Sequence, residues 1–440
     1  MADACADEPL EAAVPGTSNV VVVAGVRTPF VRSGTRFRDL SAVALGQLAV
    51  SELIQRTALD PEHVDEVILG NIAQPADATN VARVVALRAG VPVERPAYTV
   101  QRNCASGMQA ITSGAEAILC GRAEVVIAGG TESMSAIPLL FPPAMSDWLA
   151  GFVRAKTLGA RLRSATQFRA AYLKPRIALE MGLTDAYAGI NMGQTAEVLA
   201  REFGIRRSEQ DTYALQSHHR AVAARQRLRE EIVPACDPEF TFMLQDDFGP
   251  REDASLEKLS SMRPYFDRRS GSVTIGNSCG ITDGAAVVLL MSAEAARRHG
   301  YEPLATLRDW SYAGLEPERM GLGPAYATSR LLRQTGVAWR DIDLVELNEA
   351  FAAQVLANVR AFERGVQGPG RMPLEPIGTI DPERLNVNGG AIALGHPVGA
   401  SGTRLVLTLL HEMRRRDRTL GLATLCIGGG QGAALLFERN

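Results

Sequence analysis

The chain repeats one pattern of strand and helix, and this duplication constrains its fold more than any other feature. Residues 105–107 open a helix that leads to the apolar run 125–128 and then to two glycines. Residues 400–402 open a second helix that leads to the apolar run 422–425 and then to a run of glycines. Apolar β-branched runs that alternate with helices indicate an α/β fold whose sheets are covered on both faces. We therefore expect two related α/β halves rather than one long sheet.

The length of 440 residues predicts two to four domains, at roughly 100 to 200 residues per domain. Between residues 136 and 270 the pattern changes to charged helical segments and polar loops, which is typical of an insertion. We expect a disordered tail at 1–18, an N-terminal half at 19–135 and 271–300, an inserted loop domain at 136–270, and a C-terminal half at 301–440.

Charge and hydropathy exclude several classes of protein. The 46 basic and 49 acidic residues give a net charge of −3, so no overall field attracts nucleic acid. No apolar run approaches the roughly 20 residues that a membrane-spanning helix requires. The N-terminus lacks the basic and apolar regions of a secretory signal, and the six cysteines form no CxxC pair. The sequence therefore predicts a cytoplasmic protein without a transmembrane helix.

One segment of the expected insertion is strongly basic. Residues 148–179 contain seven lysines and arginines and no acidic residue, interleaved with aromatic and leucine side chains. One interpretation is a solvated helix face. The other is a surface for anionic phosphates, for a membrane or for an acidic partner.

Cys104 precedes a helix built of small residues, so its sulfur is expected at a helix N-terminus. There the backbone N–H groups and the helix dipole favour a thiolate, which is the nucleophilic form. A single cysteine before a helix is more often a small core residue, and this position alone leaves both roles open.

His396 has the position in the second repeat that Cys104 has in the first, directly before Pro397 and a helix. A helix N-terminus lowers the pKa of a histidine, which keeps the imidazole neutral and able to act as a base. The correspondence of Cys104 with His396 favours nucleophilic catalysis.

Two more candidates follow predicted strands. Cys426 ends the last buried strand and precedes a glycine run that begins at Gly428, whose free N–H groups suit an oxyanion. Asn348 leaves another strand end, where ligands of α/β sheets gather. No metal site is predicted, because the histidines and cysteines show no ligand spacing, and no phosphate-binding glycine motif follows a strand.

Four motifs resemble, in order and spacing, the active-site motifs of the thiolase family. They lie at residues 103–107, 348–351, 395–397 and 426–428, and weaker similarity at 129–135, 192–197 and 283–286 extends the resemblance over the chain from Asn19. The resemblance implies an α/β thiolase fold: two βαβ-rich halves with mixed five-stranded sheets, an inserted loop domain, and a homodimer or homotetramer. A ketoacyl synthase or chalcone-synthase-like enzyme would carry a histidine or asparagine in place of Cys426.

The resemblance also implies a reaction and a role for each residue. Cys104 attacks the keto carbon of a 3-ketoacyl-CoA after His396 accepts its proton, and Asn348 holds a water that helps to stabilise the acetyl-CoA enolate. Cys426 supplies the proton to the enolate and deprotonates the incoming CoA. The backbone N–H groups of Cys104 and Gly428 form an oxyanion hole. CoA is a substrate, and no cofactor is implied.

The resemblance assigns CoA binding to Arg251, Cys279 and Met192. The alternative for Arg251 is a surface arginine paired with an acid. Two positions depart from the family pattern: Cys279 stands where a serine is common, and Asn191 where a histidine is frequent.

The motifs do not separate degradative from biosynthetic thiolases. The basic segment, with residues 307–310 and 322–328, is similar to the β-subunits of fatty-acid-oxidation complexes. We therefore expect a degradative 3-ketoacyl-CoA thiolase, with an acetoacetyl-CoA thiolase as the second candidate. A non-catalytic subunit that binds a membrane or a hydratase/dehydrogenase partner through residues 148–179 is a remote third.

Overall fold

The computed structural model of the chain describes residues 20–236, 241–368 and 371–439. The expected tail at 1–18 lies outside these ranges. The described strands are β1 (Val20–Arg27), β2 (Val31–Arg32), β3 (Glu66–Gly70), β4 (Ala97–Val100), β5 (Val125–Glu132), β6 (Leu139–Leu140), β7 (Arg176–Ile177), β8 (Ala235–Cys236), β9 (Met243–Leu244), β10 (Thr282–Ser292), β11 (Ala305–Gly314), β12 (Leu344–Leu347), β13 (Leu420–Ile427) and β14 (Gln431–Glu438).

Fourteen α-helices lie in the same described ranges. They are α1 (Ala42–Thr57), α2 (Val81–Arg88), α3 (Ser106–Leu119), α4 (Pro143–Arg154), α5 (Leu158–Thr166), α6 (Ala178–Gly182), α7 (Met192–Glu202), α8 (Arg207–Leu228), α9 (Leu256–Ser260), α10 (Ala293–Arg298), α11 (Gly323–Thr335), α12 (Ala352–Arg364), α13 (Ala391–Leu394) and α14 (Val398–Arg415). None of them is both long and apolar enough to span a bilayer.

The main sheet shows the duplication directly. Its strand order is β4-β3-β5-β10-β1 along one half and β11-β14-β13-β12 along the other. Each half contains a parallel pair of strands, β3 with β5 and β12 with β13, followed by antiparallel neighbours. The two halves are therefore copies of a single unit that meet at β1 and β11, and the α/β fold with mixed sheets is confirmed.

The observed sheet differs in two details from the expected five-stranded sheets of the two halves. First, β1 and β11 are hydrogen-bonded through the pairs Val21–Thr306 and Val22–Ala305, so the strands of the two halves form one continuous sheet. The short pairs β6 with β7 and β8 with β9 form two small sheets apart from it. Second, the position beside β12 that corresponds to β4 holds a single parallel bridge between Val345 and Leu385. Among the described residues the second unit thus has four strands, because only one residue of its fifth strand pairs with β12.

Alternate side chains of each strand enter different cores, as the period of two requires. Val126 and Leu290 face an inner core together with α3 and α14, whereas Ile127 and Leu289 face an outer core together with α1 and α2. A third core packs α11 and α12 against the outer face of the second unit. Both faces of the sheet are therefore covered, and α3 and α14 share the centre of the molecule.

The two central helices approach so closely that glycine is required at their contact. A Cβ atom on Gly107 of α3 would lie 2.5 Å from Oγ1 and 2.9 Å from the backbone nitrogen of Thr403 on α14. A Cβ atom on Gly402 would lie 2.8 Å from the backbone nitrogen of Met108. This contact sets the two helix N-termini beside each other.

The chain between β5 and β10 contains α4 to α9 and β6 to β9. This matches the change in sequence character at 136–270. The limits of the four expected segments stay a prediction.

We predict that Gly107→Ala destabilises the protein by roughly 1–3 kcal/mol, because the added methyl group overpacks the contact with Thr403. Urea unfolding measures the change. The matched control is Gly151→Ala in α4, where a Cβ atom meets nothing within 4 Å. The control is expected to be neutral or slightly stabilising, since alanine has the higher helix propensity. Equal stability of the Gly107 variant and wild type would contradict the close contact.

Candidate active site

Cys104 lies in a tight turn that the neighbouring residues hold in place. Asn103 has a left-handed backbone conformation with φ of 44°, which asparagine tolerates better than most residues. The Ser106 hydroxyl donates to the Asn103 carbonyl at 2.7 Å and accepts from the Arg102 N–H at 2.8 Å. The helix α3 begins two residues after Cys104, with Ala105 as its N-cap. The expected position at a helix N-terminus is therefore confirmed.

His396 has the same relation to α14, since Pro397 is the N-cap of that helix. Its ring Nδ1 lies 2.6 Å from the Ser401 hydroxyl oxygen, and this hydroxyl donates its proton to the Pro397 carbonyl at 2.9 Å. Because the serine proton is already used, Nδ1 carries the imidazole proton and donates to Ser401. The remaining nitrogen, Nε2, is then the basic one, and it is buried without a partner among the described residues.

Burial keeps His396 neutral. Burial and, second to it, the positive charge of Arg404 together lower the pKa of the imidazole to about 4. The sequence predicted that the helix N-terminus would lower this pKa, and that cause is wrong. The low dielectric around the ring is the main cause, and the charge of Arg404 is the second. The expected consequence, a neutral imidazole that can accept a proton, is unchanged.

The pKa of Cys104 is raised, whereas a thiolate at a helix N-terminus was predicted. Burial raises the pKa of the thiol, and hydrogen bonds from the backbone N–H groups of Gly428 and of Cys104 itself offset this effect incompletely. A thiolate stabilised by the helix N-terminus is therefore wrong as a description of the resting state. Cys104 is held as a neutral thiol, so a nucleophilic role would require its proton to leave during attack.

The two amides that were expected to form an oxyanion hole both point at the Cys104 sulfur. Gly428 follows β13 and is fixed from its other side, because the Asn103 side chain donates to the Gly428 carbonyl at 2.8 Å. A carbonyl oxygen on an acyl group attached to Cys104 would lie near the same two donors.

Cys426 and Cys279 lie near Cys104. Burial raises the pKa of Cys426 well above its usual value and is the main cause that raises that of Cys279 to about 12, and a negative charge on Cys104 during reaction disfavours ionisation of both. Cys426 is the penultimate residue of β13 and is buried in an apolar cluster with Ala350 and Phe351. These raised pKa values favour the thiol form of all three groups at neutral pH.

Asn348 directly follows β12 and is fully buried. Its backbone N–H donates to the Thr424 carbonyl at 3.0 Å, which fixes the residue beside β13. Neither the oxygen nor the nitrogen of its side-chain amide has a partner among the described residues. A buried amide without a partner needs an explanation, and a site that binds a ligand or water provides one.

The segment 277–281 binds the loops of Asn348 and His396 together. The Cys279 N–H donates to the Ala350 carbonyl at 3.0 Å, and the His396 N–H donates to the Gly280 carbonyl at 2.9 Å. The structure thus brings Cys104, Cys279, Asn348, His396 and Cys426 to one place, from separate regions of the chain.

Two of the expected CoA-binding residues, Cys279 and Met192, lie at this place. Met192 is the first residue of α7, and a Cβ atom on Gly428 would lie 3.3 Å from its sulfur. Asn191 stands where a histidine is frequent in the family. It is the N-cap of this helix, and its side chain accepts from the Gln194 N–H at 2.9 Å.

Arg251 is exposed, and its side chain forms no hydrogen bond or ion pair with the described residues. The acids beside it have other partners: Glu252 pairs with Arg225, and Asp253 with Lys258. Arg251 thus forms no ion pair with an acid among the described residues, but after Lys258 its charge helps to lower the pKa of Asp253, and its role stays a prediction. The described residues contain no cluster of acids, histidines or cysteines that could hold a metal ion.

The sequence pattern alone did not single out Ser401 or Asn103 as site residues. Ser401 lies five residues after His396 in the first turn of α14, a spacing that returns its hydroxyl to the ring. Asn103 precedes Cys104 directly, and only its positive φ reveals its structural role.

The raised pKa of Cys104 predicts how its alkylation depends on pH. Iodoacetamide reacts with the thiolate, so the rate should keep rising from about pH 7 to pH 9 without a plateau. A Cys104→Ala variant corrects for the other cysteines. A plateau reached below about pH 8 would instead indicate a thiolate paired with an imidazolium, and would contradict the neutral pair described above.

Comparison with known proteins identifies the family. The family model for the thiolase N-terminal domain matches residues 20–294, and that for the thiolase C-terminal domain matches residues 301–439. A 3-ketoacyl-CoA thiolase of Pectobacterium atrosepticum is 40% identical over 423 residues, which cover 95% of this chain and 96% of the relative. A 3-ketoacyl-CoA thiolase of Yersinia enterocolitica is 38% identical over 435 residues, with 98% and 99% coverage.

Solved structures agree with this result. The acetyl-CoA acetyltransferase of Bacillus anthracis matches with a TM-score of 0.84 and 38% identity, covering 97% of this chain and 100% of that one. Human mitochondrial 3-ketoacyl-CoA thiolase in complex with CoA matches with a TM-score of 0.82 and 38% identity, covering 96% and 98%. The resemblance of the four motifs is confirmed, and the chain belongs to the thiolase family.

Proposed function

We propose that this acyltransferase cleaves 3-ketoacyl-CoA with CoA, yielding acetyl-CoA and an acyl-CoA two carbons shorter, as in fatty-acid β-oxidation. One observation carries the proposal. The neutral Cys104 thiol faces two backbone N–H donors, while buried polar atoms of His396 and Asn348 have no partner within the described chain. A carbon–carbon cleavage through an acyl-cysteine needs these functions together.

In the first half-reaction, the Cys104 sulfur attacks the 3-keto carbon and its proton passes to Nε2 of His396. The N–H groups of Cys104 and Gly428 stabilise the resulting oxyanion. The bond between the second and third carbons then breaks, and the electron pair forms the acetyl-CoA enolate. His396 and Asn348, the latter through a water as in the family, stabilise this enolate, and Cys426 protonates its carbon.

In the second half-reaction, the Cys426 thiolate takes the proton of the incoming CoA thiol. The CoA sulfur attacks the acyl group on Cys104, and the bond to Cys104 breaks. Cys104 recovers its proton from His396. Every proton that is removed is returned, so the reaction requires only the two substrates and these side chains.

CoA binding is proposed for Arg251, Met192 and Cys279. Gly249, two residues before Arg251, packs against the backbone of Ala393 so closely that a side chain would overlap it. The loop that carries Arg251 is thereby held beside the segment that leads to His396. A free guanidinium at this position suits the phosphates of CoA.

The second candidate, an acetoacetyl-CoA thiolase that condenses two acetyl-CoA molecules, is favoured by the similarity to the Bacillus anthracis acetyl-CoA acetyltransferase. The same side chains would serve the reverse reaction. Chain-length preference separates the two candidates, and a protein without any thiolysis would support the remote non-catalytic alternative.

The decisive experiment is steady-state thiolysis by purified protein with 3-ketoacyl-CoA substrates of increasing chain length. We expect turnover of long and short chains, an acyl group on Cys104 by mass spectrometry, and loss of turnover by orders of magnitude in Cys104→Ala. Cys426→Ala should still accept an acyl group but should no longer exchange the α-protons of acetyl-CoA with deuterated solvent. Acylation found only on Cys426, or wild-type exchange in that variant, would refute these roles.

We also propose that the chain forms a homodimer or homotetramer. In the described ranges, β4 is the last strand of the sheet and pairs only with β3. Its outer edge presents backbone groups to a second copy. The cytoplasmic location stays a prediction.

We further propose that residues 148–179 form a binding surface for a membrane or for a hydratase/dehydrogenase partner subunit. No residue from 136 to 184 is buried, and none of the seven cations of the segment has an ion-pair partner among the described residues. The rings of Trp148 and Phe168 pack edge to face with their centroids 4.9 Å apart, and this contact joins α4 to the chain after α5. Leu158 and Leu162 remain exposed beside the cations, as in helices that bind anionic surfaces.

We predict that reversing three of these charges (Arg154, Arg163 and Arg169 to Glu) leaves thiolysis of a short substrate nearly unchanged. Binding to anionic vesicles or to the partner subunit should fall about 100-fold or more, since each basic residue contributes roughly 1 kcal/mol at such a surface. Replacing the same residues with lysine is the control. A rise of about tenfold in KM for CoA, with unchanged binding to both, would show that the segment holds CoA phosphates instead.

A further inference from the structure

A buried carboxylate lies directly after Asn348. Glu349 is 1% exposed and accepts four hydrogen bonds. Its Oε1 accepts from the Tyr213 hydroxyl at 2.9 Å and from the Asn386 amide at 3.0 Å. Its Oε2 accepts from the Ser217 hydroxyl at 2.6 Å and from the Ile392 N–H at 3.2 Å. No step of the proposed reaction uses this group.

These four donors belong to two segments that are distant in sequence from Glu349. Tyr213 and Ser217 lie one turn apart on α8, which belongs to the inserted region. Asn386 and Ile392 lie in the segment that leads to His396. Glu349 therefore connects the loop of Asn348 both to α8 and to the segment that carries the catalytic base.

Two of the four groups can only donate a hydrogen bond to Glu349 and cannot accept one from it. The Asn386 side-chain oxygen accepts from the Leu347 N–H at 2.8 Å, so its nitrogen must face Glu349. The Ile392 group is a backbone N–H and can only donate. Each oxygen of Glu349 thus faces one obligate donor, and a carboxylate is the side chain that can accept on both oxygens.

The geometry points to Glu349 as the positioning residue that fixes Asn348 relative to His396, an inference that rests on the proposed function. Asn348 is covalently attached to Glu349 and makes no side-chain hydrogen bond of its own with the described residues. The hydrogen bond to the Thr424 carbonyl holds its backbone on the N-terminal side, so the position of its amide depends on how firmly the carboxylate on the C-terminal side is held as well. Misplacement of a catalytic group by about 1 Å can cost on the order of 100-fold in rate.

The same network reaches the proposed CoA loop. His218 follows Ser217 on α8, and its Nδ1 accepts from the Arg251 N–H at 3.4 Å. One helix thus contacts both the loop proposed to bind CoA and the carboxylate that holds the Asn348 loop.

The test is Glu349→Gln, which keeps the shape of the side chain. Its amide nitrogen must face either Asn386 or Ile392, so one hydrogen bond is replaced by two opposed donors. We expect exchange of the acetyl-CoA α-protons with deuterated solvent to fall about 10- to 100-fold, with KM for CoA within about twofold of wild type.

The matched control is Asp343→Asn. Asp343 precedes the same strand, β12, and its carboxylate accepts from the backbone N–H groups of Thr419 and Leu420 at 3.1 and 2.9 Å. It lies at the opposite end of the strand from Asn348. We expect the control to exchange α-protons at the wild-type rate, even where its melting temperature falls.

The positioning role would be overturned if folded Glu349→Gln exchanged the α-protons of acetyl-CoA at the wild-type rate. It would also be overturned if Asp343→Asn lost as much of this exchange as Glu349→Gln. A lower melting temperature with unchanged exchange per folded molecule would make Glu349 merely structural. If Glu349→Gln does not fold, the double variant Tyr213→Phe and Ser217→Ala removes two donors and should lower exchange in the same direction. Absence of thiolysis and exchange in the wild type would instead refute the proposed function, and with it this inference.

Discussion

The packing of α3 against α14 is the contact on which the rest of the active site depends. Gly107 and Gly402 let the two helix backbones approach to distances that a side chain would prevent. Because Cys104 and His396 directly precede the N-caps of these helices, the contact brings the proposed nucleophile and the proposed base from opposite units of the chain into one site. The surrounding sheet and the outer helices bury this helix pair at the centre of the fold.

That burial also decides the chemistry of the site. A thiol and an imidazole with their usual pKa values exchange a proton easily in water, but here burial raises the pKa of Cys104 and lowers that of His396 to about 4. Both groups therefore rest in their neutral forms, and charge appears only when the substrate reacts. In the proposed reaction, the amides of Gly428 and Cys104 face the position where that charge develops, and such an arrangement stabilises a transition state more than a ground state.

Equivalent positions of the two repeats have acquired different roles. Asn71 follows β3 as Asn348 follows β12, but the Asn71 amide donates to the Thr131 carbonyl and to Glu132. Glu132 in turn accepts from the Gly399 N–H at the start of α14. The asparagine of the first unit thus helps to build the framework, whereas that of the second leaves its amide without a partner among the described residues. Duplication supplied two similar strand ends. Only Oδ1 of Asn71 lacks a partner among the described residues, whereas both polar atoms of the Asn348 amide lack one and are proposed to serve catalysis.

The sequence by itself determined the α/β class, the duplication and the family, because strand and helix periodicity and the order of motifs are local properties of the chain. It also placed Cys104 and His396 at equivalent helix starts. The ionisation states, the continuous sheet through β1 and β11, and the unpaired Arg251 were decided only by the tertiary structure. The network that holds Glu349 was decided there too. Each of these depends on which distant groups meet and how much water they lose, and neither quantity is encoded in neighbouring residues.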